Sequence, residues 1–382
     1  MRFPEISMYG WILTELEPVG RLHSAAASIF ERSTCRAGAC GNRTPDRVVE
    51  VNMSGKFFER RRSVGRVGWS SDGWSARNVW GSLVLSAVAA ATVSGCDGLF
   101  YFPSRELFHD PAAIGLPFRD VWFESRDGTR LHGWFFPADR QGRASVVGTV
   151  VHFHGNAENI SAHAYSSAWL SREGFNVLVF DYRGYGESAG TPDKDGVQQD
   201  AIAAVRWVSE QPEVDPRRLV LFGQSLGAAI AVRVAADYRP SGLRCLVLES
   251  GFSSYRSIAR DKLSQSVVLW PFQWPLSFLV SDRYSPARAI AKIAPAPVLI
   301  VHGTADPIVP YSQAEALYAA AHQPKTLWTI PGGGHISAFT RNGAVYREPL
   351  VAFLRRCVAE TPEPCGDDER QRCSGVERSV AR

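Results

Sequence analysis

Three residues in the second half of the chain are of the types that nucleophilic hydrolysis requires. Ser225 stands in the segment Gly223-Gln-Ser-Leu-Gly227, which matches the pattern G-x-S-x-G. A serine hydroxyl is a poor nucleophile until a histidine takes its proton, and the histidine needs a carboxylate to fix its tautomer and stabilise its charge. Asp306 and His335 follow Ser225 along the chain and are the candidates for these two roles.

A second G-x-S-x-G match surrounds Ser188, and the neighbouring sequence distinguishes the two serines. A nucleophilic serine in such a motif needs a strand before it and a helix after it, so that a strained turn presents the hydroxyl at the amino end of the helix. The strand-like segment Arg218-Leu-Val-Leu-Phe222 precedes Ser225, and the helix-forming run 226–236 follows it. Ser188 leads instead into the loop-like segment 189–196. We therefore predict that Ser225 is the nucleophile.

The acid and the histidine are assigned by their positions relative to strands. Asp306 lies just beyond the apolar run 298–301, and open α/β sheets form their sites at the carboxyl ends of strands. His335 follows a strand and three consecutive glycines, which allow the loop to bring an imidazole over the sheet edge. His302, at a strand end, is predicted to be structural, and His322, at a helix end, to be solvated.

Acyl transfer also needs donors for the oxyanion of the tetrahedral intermediate. The segment 151–156 ends a predicted strand in a glycine turn, and Leu226 directly follows the nucleophile. We predict that the backbone N–H groups of Asn156 and Leu226 are these donors.

No cofactor is predicted. His152 and His154 share one face of a strand, but no third ligand is near in sequence, as a zinc site would require. The segment 184–189 matches G-x-G-x-x-A, but no helix opens there to receive a pyrophosphate.

Short apolar runs alternate with helical patterns after residue 96, which predicts an α/β fold with a mostly parallel sheet. The runs 121–123 and 131–136 predict an antiparallel hairpin. Buried strands are predicted at 146–153, 176–180, 219–222, 245–248, 298–301 and 326–330, and helices at 161–172, 196–210, 226–238, 312–321 and 343–356.

One segment, about 252–285, interrupts this alternation and is rich in apolar and aromatic residues. Two interpretations remain open. It forms two helices packed on the core, or it forms an apolar lid over an acyl or membrane-derived substrate.

The motifs together resemble the α/β-hydrolase superfamily, in its branch of α/β-hydrolase domain-containing proteins often labelled serine aminopeptidase-like. The resemblance covers about 105–357, and it rests on the segments His154-Gly-Asn-Ala-Glu-Asn-Ile-Ser161, Asp181-Tyr-Arg-Gly-Tyr-Gly-Glu-Ser188, Gly223-Gln-Ser-Leu-Gly227, His302-Gly-Thr-Ala-Asp306 and Gly332-Gly-Gly-His335. It implies an eight-stranded sheet with helices on both faces, a small helical cap, and the triad Ser225, Asp306 and His335.

Family members hydrolyse esters, thioesters, lipids or peptides, so the resemblance implies a mechanism more than a substrate. We expect a serine hydrolase that forms an acyl-enzyme and acts on a small-molecule ester or lipid. The alternatives are a peptidase with the same triad and a hydrolase-fold binding protein without catalysis.

Charge argues against nucleic acid as a partner. The net charge of +4 resides in residues 1–95, which carry 12 basic and 8 acidic side chains, whereas residues 96–382 carry 30 of each. A nucleic-acid surface needs clustered Lys and Arg in the folded part of a chain.

The amino-terminal region predicts export. The 19 residues from Asn78 to Cys96 carry no charge and follow a basic stretch, which is the layout of an export signal. The segment Val93-Ser-Gly-Cys96 resembles the lipobox of bacterial lipoproteins, in which the cysteine is lipidated. The alternative is a plain membrane anchor, since 19 residues are just long enough to span a bilayer. Either reading leaves the protein anchored on the periplasmic or extracellular side.

The expected boundaries follow. Residues 1–52 fit no part of a signal and are expected to be a non-native or disordered leader, with Met53 as the start. Residues 53–95 form the signal, 96–104 a linker and 105–357 the hydrolase domain, and 358–382 form a flexible tail.

Overall fold

An eight-stranded sheet lies at the centre of the computed structural model, which describes residues 100–140, 142, 145–340 and 343–359. The strands of the described residues are β1 (Phe102–Pro103), β2 (Arg119–Glu124), β3 (Arg130–Phe136), β4 (Gly148–Phe153), β5 (Ala157–Glu158), β6 (Phe175–Phe180), β7 (Leu219–Gln224), β8 (Leu243–Glu249), β9 (Val298–Gly303) and β10 (Lys325–Ile330). The large sheet has the order β10-β9-β8-β7-β4-β6-β3-β2. Strand β3 runs antiparallel to β2 and β6, and the other neighbours are parallel.

The central strands are near-continuous apolar runs because both of their faces are covered. Every residue of β4, β6, β7 and β9 is buried. Alternate residues face opposite sides, so that Val151 and Leu178 belong to one apolar cluster and Val150 and Val177 to the other. This is the α/β-hydrolase fold that the sequence predicts, with eight strands in the main sheet.

Helices cover both faces. They are α1 (Ile160–His163), α2 (Lys194–Ser209), α3 (Leu226–Arg233), α4 (Tyr255–Ser264), α5 (Gln273–Ser277), α6 (Tyr311–Ala320) and α7 (Gly343–Ala359). Residues of α2, α3 and α6 join one apolar cluster, and residues of α1 and α7 join the other. Helices α4 and α5 lie in the segment 252–285, which we call the cap.

The predicted elements are confirmed, with two local differences. The helix predicted at 161–172 is α1 followed by two short 3-10 turns, Ala164–Ser166 and Ala168–Ser171. The helix predicted at 226–238 is α3 followed by a π-helical turn, Val234–Tyr238. The predicted hairpin is the pair β2–β3.

The folded part extends slightly beyond the predicted 105–357. Strand β1 lies in the predicted linker and pairs with β5, and α7 runs to Ala359. Cys96, the apolar segment 78–95, the leader 1–52 and most of the tail 358–382 lie outside the described residues. Within the described ranges, no helix has the length and hydropathy needed to cross a bilayer.

Candidate active site

Ser225 occupies a strained turn between β7 and α3. Its φ is 53° and its ψ is −114°, a conformation that costs a non-glycine residue about 1–3 kcal/mol. The flanking glycines allow the turn to close, because a Cβ at Gly223 would lie 2.6 Å from Cα of Ala228 and a Cβ at Gly227 would overlap the carbonyl oxygen of Phe153. The side chain of Ser225 caps no backbone N–H of α3, so its hydroxyl is left for other partners.

Ser188, in the second G-x-S-x-G match, has a structural role. It is fully buried, its Oγ accepts a hydrogen bond from the N–H of His132 at 2.9 Å, and its hydroxyl donates to the carbonyl of Asp181 at 2.8 Å. A fully buried hydroxyl whose proton is donated to a backbone carbonyl is not placed to give that proton to a histidine or to reach a substrate.

Asp306 and His335 form a hydrogen-bonded pair, with His335 Nδ1 at 2.8 Å from Asp306 Oδ2. Burial by itself would raise the pKa of Asp306, but hydrogen bonds from His335, Val309 N–H and Ile308 N–H outweigh burial, so the net pKa is lowered. Asp306 is therefore ionised at neutral pH and accepts the Nδ1–H of His335. The Nε2 of His335 is then the basic nitrogen.

The loops that carry the acid and the histidine are bound to each other. The N–H of Ala305 donates to the carbonyl of Gly333 at 3.0 Å, and Gly332 N–H donates to Thr304 Oγ1 at 2.8 Å. A Cβ at Gly303 would overlap the Gly333 carbonyl oxygen. The glycines before His335 therefore serve close backbone approach as well as flexibility.

The other two histidines have the environments that the sequence predicts. His302 is buried and donates from Nε2 to the carbonyl of Val309 at 2.8 Å, with the same nitrogen 3.4 Å from Asp306 Oδ2. Burial lowers the pKa of His302, so this ring is neutral. His322 is exposed beyond the end of α6.

The predicted oxyanion donors lie at two adjacent strand ends. Asn156 follows β4, and Leu226 is the first residue of α3, after β7. Strands β4 and β7 are parallel neighbours, so both segments reach the same edge of the sheet. Within the described part of the chain, neither backbone N–H has a hydrogen-bond acceptor. No hydrogen bond joins Ser225 Oγ to His335 there either, and such bonds often tighten only with substrate.

Glu249, a buried acid that sequence reasoning missed, is hydrogen-bonded to the segments that carry the candidates Ser225 and His335. It ends β8, its carbonyl accepts the N–H of Ser225 at 2.9 Å, and its Oε1 accepts the N–H of Ala338 at 3.0 Å. The next residue, Ser250, accepts the N–H of Ile336 on its Oγ at 3.1 Å. The loop after His335 thus rests on the end of the strand next to β7. The signal in the sequence is a single acid closing an apolar run.

Glu249 also ends a directed chain of buried hydrogen bonds. Gln224 Nε2 donates to Glu249 Oε2 at 2.6 Å, so Gln224 Oε1 faces His152 Nε2 at 2.9 Å and accepts its proton. His152 Nδ1 then accepts from the hydroxyl of Ser167 at 2.8 Å. Burial lowers the pKa of His152 to about 3, so the ring is neutral. His152 therefore supports the turn that carries Ser225 through its hydrogen bond to Gln224.

The buried side chains of His154 and Asp181 lie close to each other. His154 Nδ1 donates to the carbonyl of Gly155 at 2.8 Å, and its Nε2, 3.5 Å from Asp181 Oδ1, has no hydrogen-bond partner. Burial raises the pKa of Asp181 to about 8, and burial lowers that of His154. A protonated carboxyl facing a neutral imidazole is the state that these directions favour. No group of three or more His, Cys, Asp or Glu among the described residues is arranged for a metal ion.

The cap is attached to the sheet edge by Gln313 of α6. Gln313 is buried, and its Oε1 accepts hydrogen bonds from Ser253 N–H, Ser253 Oγ and Ser257 Oγ at 2.9, 2.6 and 3.0 Å. Its Nε2 donates to Asp261 Oδ2 at 2.6 Å. One side chain thus anchors the first helix of the cap beside the helix that follows the acid loop.

Comparisons with known proteins agree with this architecture. Residues 161–361, more than half of the chain, match the model of the prolyl oligopeptidase family. The chain is 40% identical to the protein YfhR of Escherichia coli K12 over 67% of this chain and 86% of that protein. It is 33% identical to the α/β-hydrolase domain-containing protein WAV2 of Arabidopsis thaliana over 74% of this chain and 94% of that one. Its fold is similar to that of an esterase of Pyrococcus furiosus, with a TM-score of 0.55 at 23% identity, over 67% of this chain and 98% of that one.

Proposed function

The chain belongs to the prolyl oligopeptidase family of α/β-hydrolases, and from this premise we propose that it is a serine hydrolase of carboxylic esters. Ser225 is the nucleophile, His335 the general base and Asp306 the residue that orients the histidine. The observation that carries the proposal is the 2.8 Å pair of Asp306 and His335 at the sheet edge where the strained Ser225 turn also lies.

The reaction then proceeds through an acyl-enzyme. His335 Nε2 takes the proton of Ser225 as Oγ bonds to the acyl carbon, and the carbonyl electron pair moves to the oxygen. The N–H groups of Leu226 and Asn156 donate to this oxyanion, and the loss of one such donor typically costs about 3–4 kcal/mol. Collapse expels the alcohol, which receives the proton from His335. Water then repeats the sequence and releases the acid.

The substrate class rests on the cap. Its exposed side chains are predominantly apolar, which supports an acyl ester or lipid rather than a polar substrate. The family to which the chain belongs is named for a peptidase, so peptide hydrolysis by the same triad is the second candidate. No cofactor enters either scheme.

A fluorophosphonate probe tests the nucleophile, because Ser225 Oγ displaces fluoride from phosphorus and retains the label. We expect labelling of the natural protein and of Ser188→Ala, the matched change in the other G-x-S-x-G motif, but none of Ser225→Ala. Circular dichroism verifies that each variant is folded. Folded natural protein that takes no label contradicts the proposal.

A substrate panel separates the two candidates. p-Nitrophenyl acyl esters of increasing chain length are compared with amino-acyl p-nitroanilides. Higher kcat/KM on the esters supports the esterase. Higher kcat/KM on the anilides supports the peptidase.

We also propose that the protein is exported and anchored through lipidated Cys96. The support is the sequence alone, namely the uncharged segment 78–96 after a basic stretch. Mass spectrometry of the mature amino terminus is the test, with an acylated Cys96 expected and its loss in Cys96→Ser. A mature chain that begins upstream of residue 78 contradicts this proposal.

A further inference from the structure

The cap exposes an unusual concentration of large apolar side chains. Of the thirteen such side chains exposed in the described part of the chain, eight lie within residues 267–279: Val267, Val268, Leu269, Trp270, Phe272, Trp274, Phe278 and Leu279. Val267 and Val268 are 93% and 77% exposed, and Trp270, Phe272, Trp274 and Phe278 are each more than half exposed. A contiguous exposed group of this kind marks an interaction surface.

This surface is uncharged at its centre and basic at its margins. Residues 266–281, which we call the apolar cap segment, contain no charged side chain. Five basic residues flank it closely: Arg256, Arg260, Lys262, Arg283 and Arg288. Asp282 pairs with Arg288 and Asp195 pairs with Arg283, each at 3.3 Å, which leaves Arg256, Arg260 and Lys262 against the single acid Asp261. The margin therefore presents positive charge.

Two arginines lie against the exposed aromatic rings. The guanidinium of Arg260 is 4.4 Å from the ring centroid of Trp274, and that of Arg256 is 5.1 Å from that of Phe278. This places cations directly beside the apolar surface. Tryptophan beside a basic side chain is the combination that suits the boundary between lipid headgroups and acyl chains.

The described part of the chain begins at the base of the cap. Phe100, the first described residue, packs edge-on against Tyr255 at the start of α4, with ring centroids 5.6 Å apart. Lys194 Nζ lies 4.9 Å from the Phe100 centroid and donates to the carbonyl of Ser281 at 3.3 Å. Lys194 therefore contacts the start of the described chain and also both ends of the cap, at Tyr255 and Ser281.

The start of the described chain is also close in sequence to the uncharged segment 78–96. The uncharged segment 78–96 ends four residues before Phe100, and four residues span at most about 14 Å. We propose that the apolar cap segment inserts into the interfacial region of a lipid bilayer, on the same membrane that receives residues 78–96. The aromatic side chains enter the acyl boundary and the flanking arginines contact phosphate groups. An ester embedded in that membrane then reaches the sheet edge that carries Ser225 and His335 without first dissolving in water.

Fluorescence quenching by brominated phospholipid tests this contact directly. The full chain is reconstituted into vesicles of phosphatidylcholine and phosphatidylglycerol, with and without bromine on the acyl chains. The tryptophan fluorescence of the natural protein minus that of the double variant Trp270→Phe/Trp274→Phe gives the signal of the two cap tryptophans. Trp122→Phe is the matched control, because Trp122 is also exposed and lies under an arginine, Arg130, at 3.9 Å.

We expect brominated lipid to quench the signal of the cap tryptophans at least twofold and to leave that of Trp122 unchanged. Equal insensitivity of both signals overturns the proposal. If the cap signal resists brominated lipid and is shielded from aqueous acrylamide only at high protein concentration, a second copy covers the surface. If it is shielded at every concentration, another segment of the chain covers it. Both outcomes also overturn membrane insertion.

A second experiment measures the consequence for substrate access. In Val268→Asp a carboxylate replaces an exposed methyl pair, and we expect hydrolysis of a soluble short ester to stay within twofold and hydrolysis of an ester embedded in vesicles to fall at least fivefold. An equal effect on the two substrates contradicts the inferred route. Because quenching requires no turnover, failure of the esterase proposal and failure of membrane insertion are distinguished.

Discussion

The sheet edge that carries the candidate triad, which we call the catalytic edge, differs from the cap in how its side chains are exposed to solvent. At the edge, Asp306 and Glu249 are buried and each accepts several hydrogen bonds. In the cap, aromatic rings such as Trp270 are exposed to solvent. Fixed hydrogen bonds position reacting groups, because a loosely held imidazole or hydroxyl loses most of the benefit of proximity. A surface that meets lipid needs exposed apolar area instead. This difference fits our proposals, in which the sheet edge performs the chemistry and the cap meets lipid.

The largest expected effect of a single change lies at the catalytic edge. Asp306→Asn keeps the shape of the side chain but removes the charge that fixes the tautomer of His335. We expect kcat for a soluble ester to fall by about a thousandfold to ten-thousandfold. Asp261→Asn, the same change in the cap, serves as the matched control and should stay within a few-fold. If kcat of the Asp306→Asn enzyme stays within tenfold of the natural value, Asp306 is not the acid of the triad.

A phenylalanine truncated in each region compares their packing. Phe339, after His335, is fully buried and packs on Phe222 with ring centroids 5.8 Å apart. Phe339→Ala should lower the free energy of unfolding by about 3–5 kcal/mol. Phe272→Ala in the cap should change it by less than about 0.5 kcal/mol. Urea unfolding of the full chain in mild detergent gives both values, and equal losses would mean that the cap is packed like the core.

Glu249→Gln should change how stability depends on pH. Burial raises the pKa of Glu249 from 4.5 to about 7, against the hydrogen bonds that it accepts. Between these values the folded protein holds a proton that the unfolded chain has released, so this residue makes stability fall as pH rises from about 4.5 to 7. The variant has no carboxyl at this position, so its stability does not fall with rising pH for this reason. Its stability relative to the natural protein should therefore rise between pH 5 and pH 8, by about 2 kcal/mol.

Urea unfolding at the two pH values measures this effect, with the exposed Glu124→Gln as control. If the Glu249→Gln variant shows the same difference from the natural protein at pH 5 and pH 8, the carboxyl is already ionised throughout this range. The hydrogen bonds that Glu249 accepts would then outweigh the effect of burial on its pKa.

The smallest effect is expected for the arginine contacts of the cap. Arg260→Gln removes the cation over Trp274, and exposed contacts of this type contribute about 0.5–1 kcal/mol. A double-mutant cycle with Trp274→Leu isolates the pair. A coupling above about 2 kcal/mol would show that the pair is a structural element of the cap, rather than an exposed contact available to lipid.

The sequence predicted most of the fold because the central strands are covered on both faces. Runs such as 219–222 and 298–301 are apolar without interruption, and the observed strands agree within about two residues. The helix predicted at 161–172 is less regular, since short segments depend on packing more than on propensity. In the site, sequence context predicts Ser225 rather than Ser188 as the nucleophile, and the structure shows Ser188 buried with its hydroxyl in two hydrogen bonds.

Glu249 could not be predicted, because its only local signal, an acid that ends an apolar run, does not distinguish it from an ordinary residue at a strand end. Its partner Ala338 is 89 positions away, and the hydrogen bond exists only because β8 and the loop after β10 reach the same edge of the sheet. The same holds for Lys194, which joins Phe100, Tyr255 and Ser281 across the fold.

The amino-acid sequence by itself determined the α/β architecture, the order of the candidate triad and the neutral charge of residues 96–382, because these depend on local periodicity, motif context and composition. It left open whether the aromatic residues of the cap face the core or solvent. Tertiary structure decided that question. An apolar segment can pack on a core or stay exposed, and the outcome depends on which surfaces its neighbours already cover. Tertiary structure also decided that the histidine loop rests on Glu249 and that the described part of the chain begins beside the cap, because both features join residues distant in sequence.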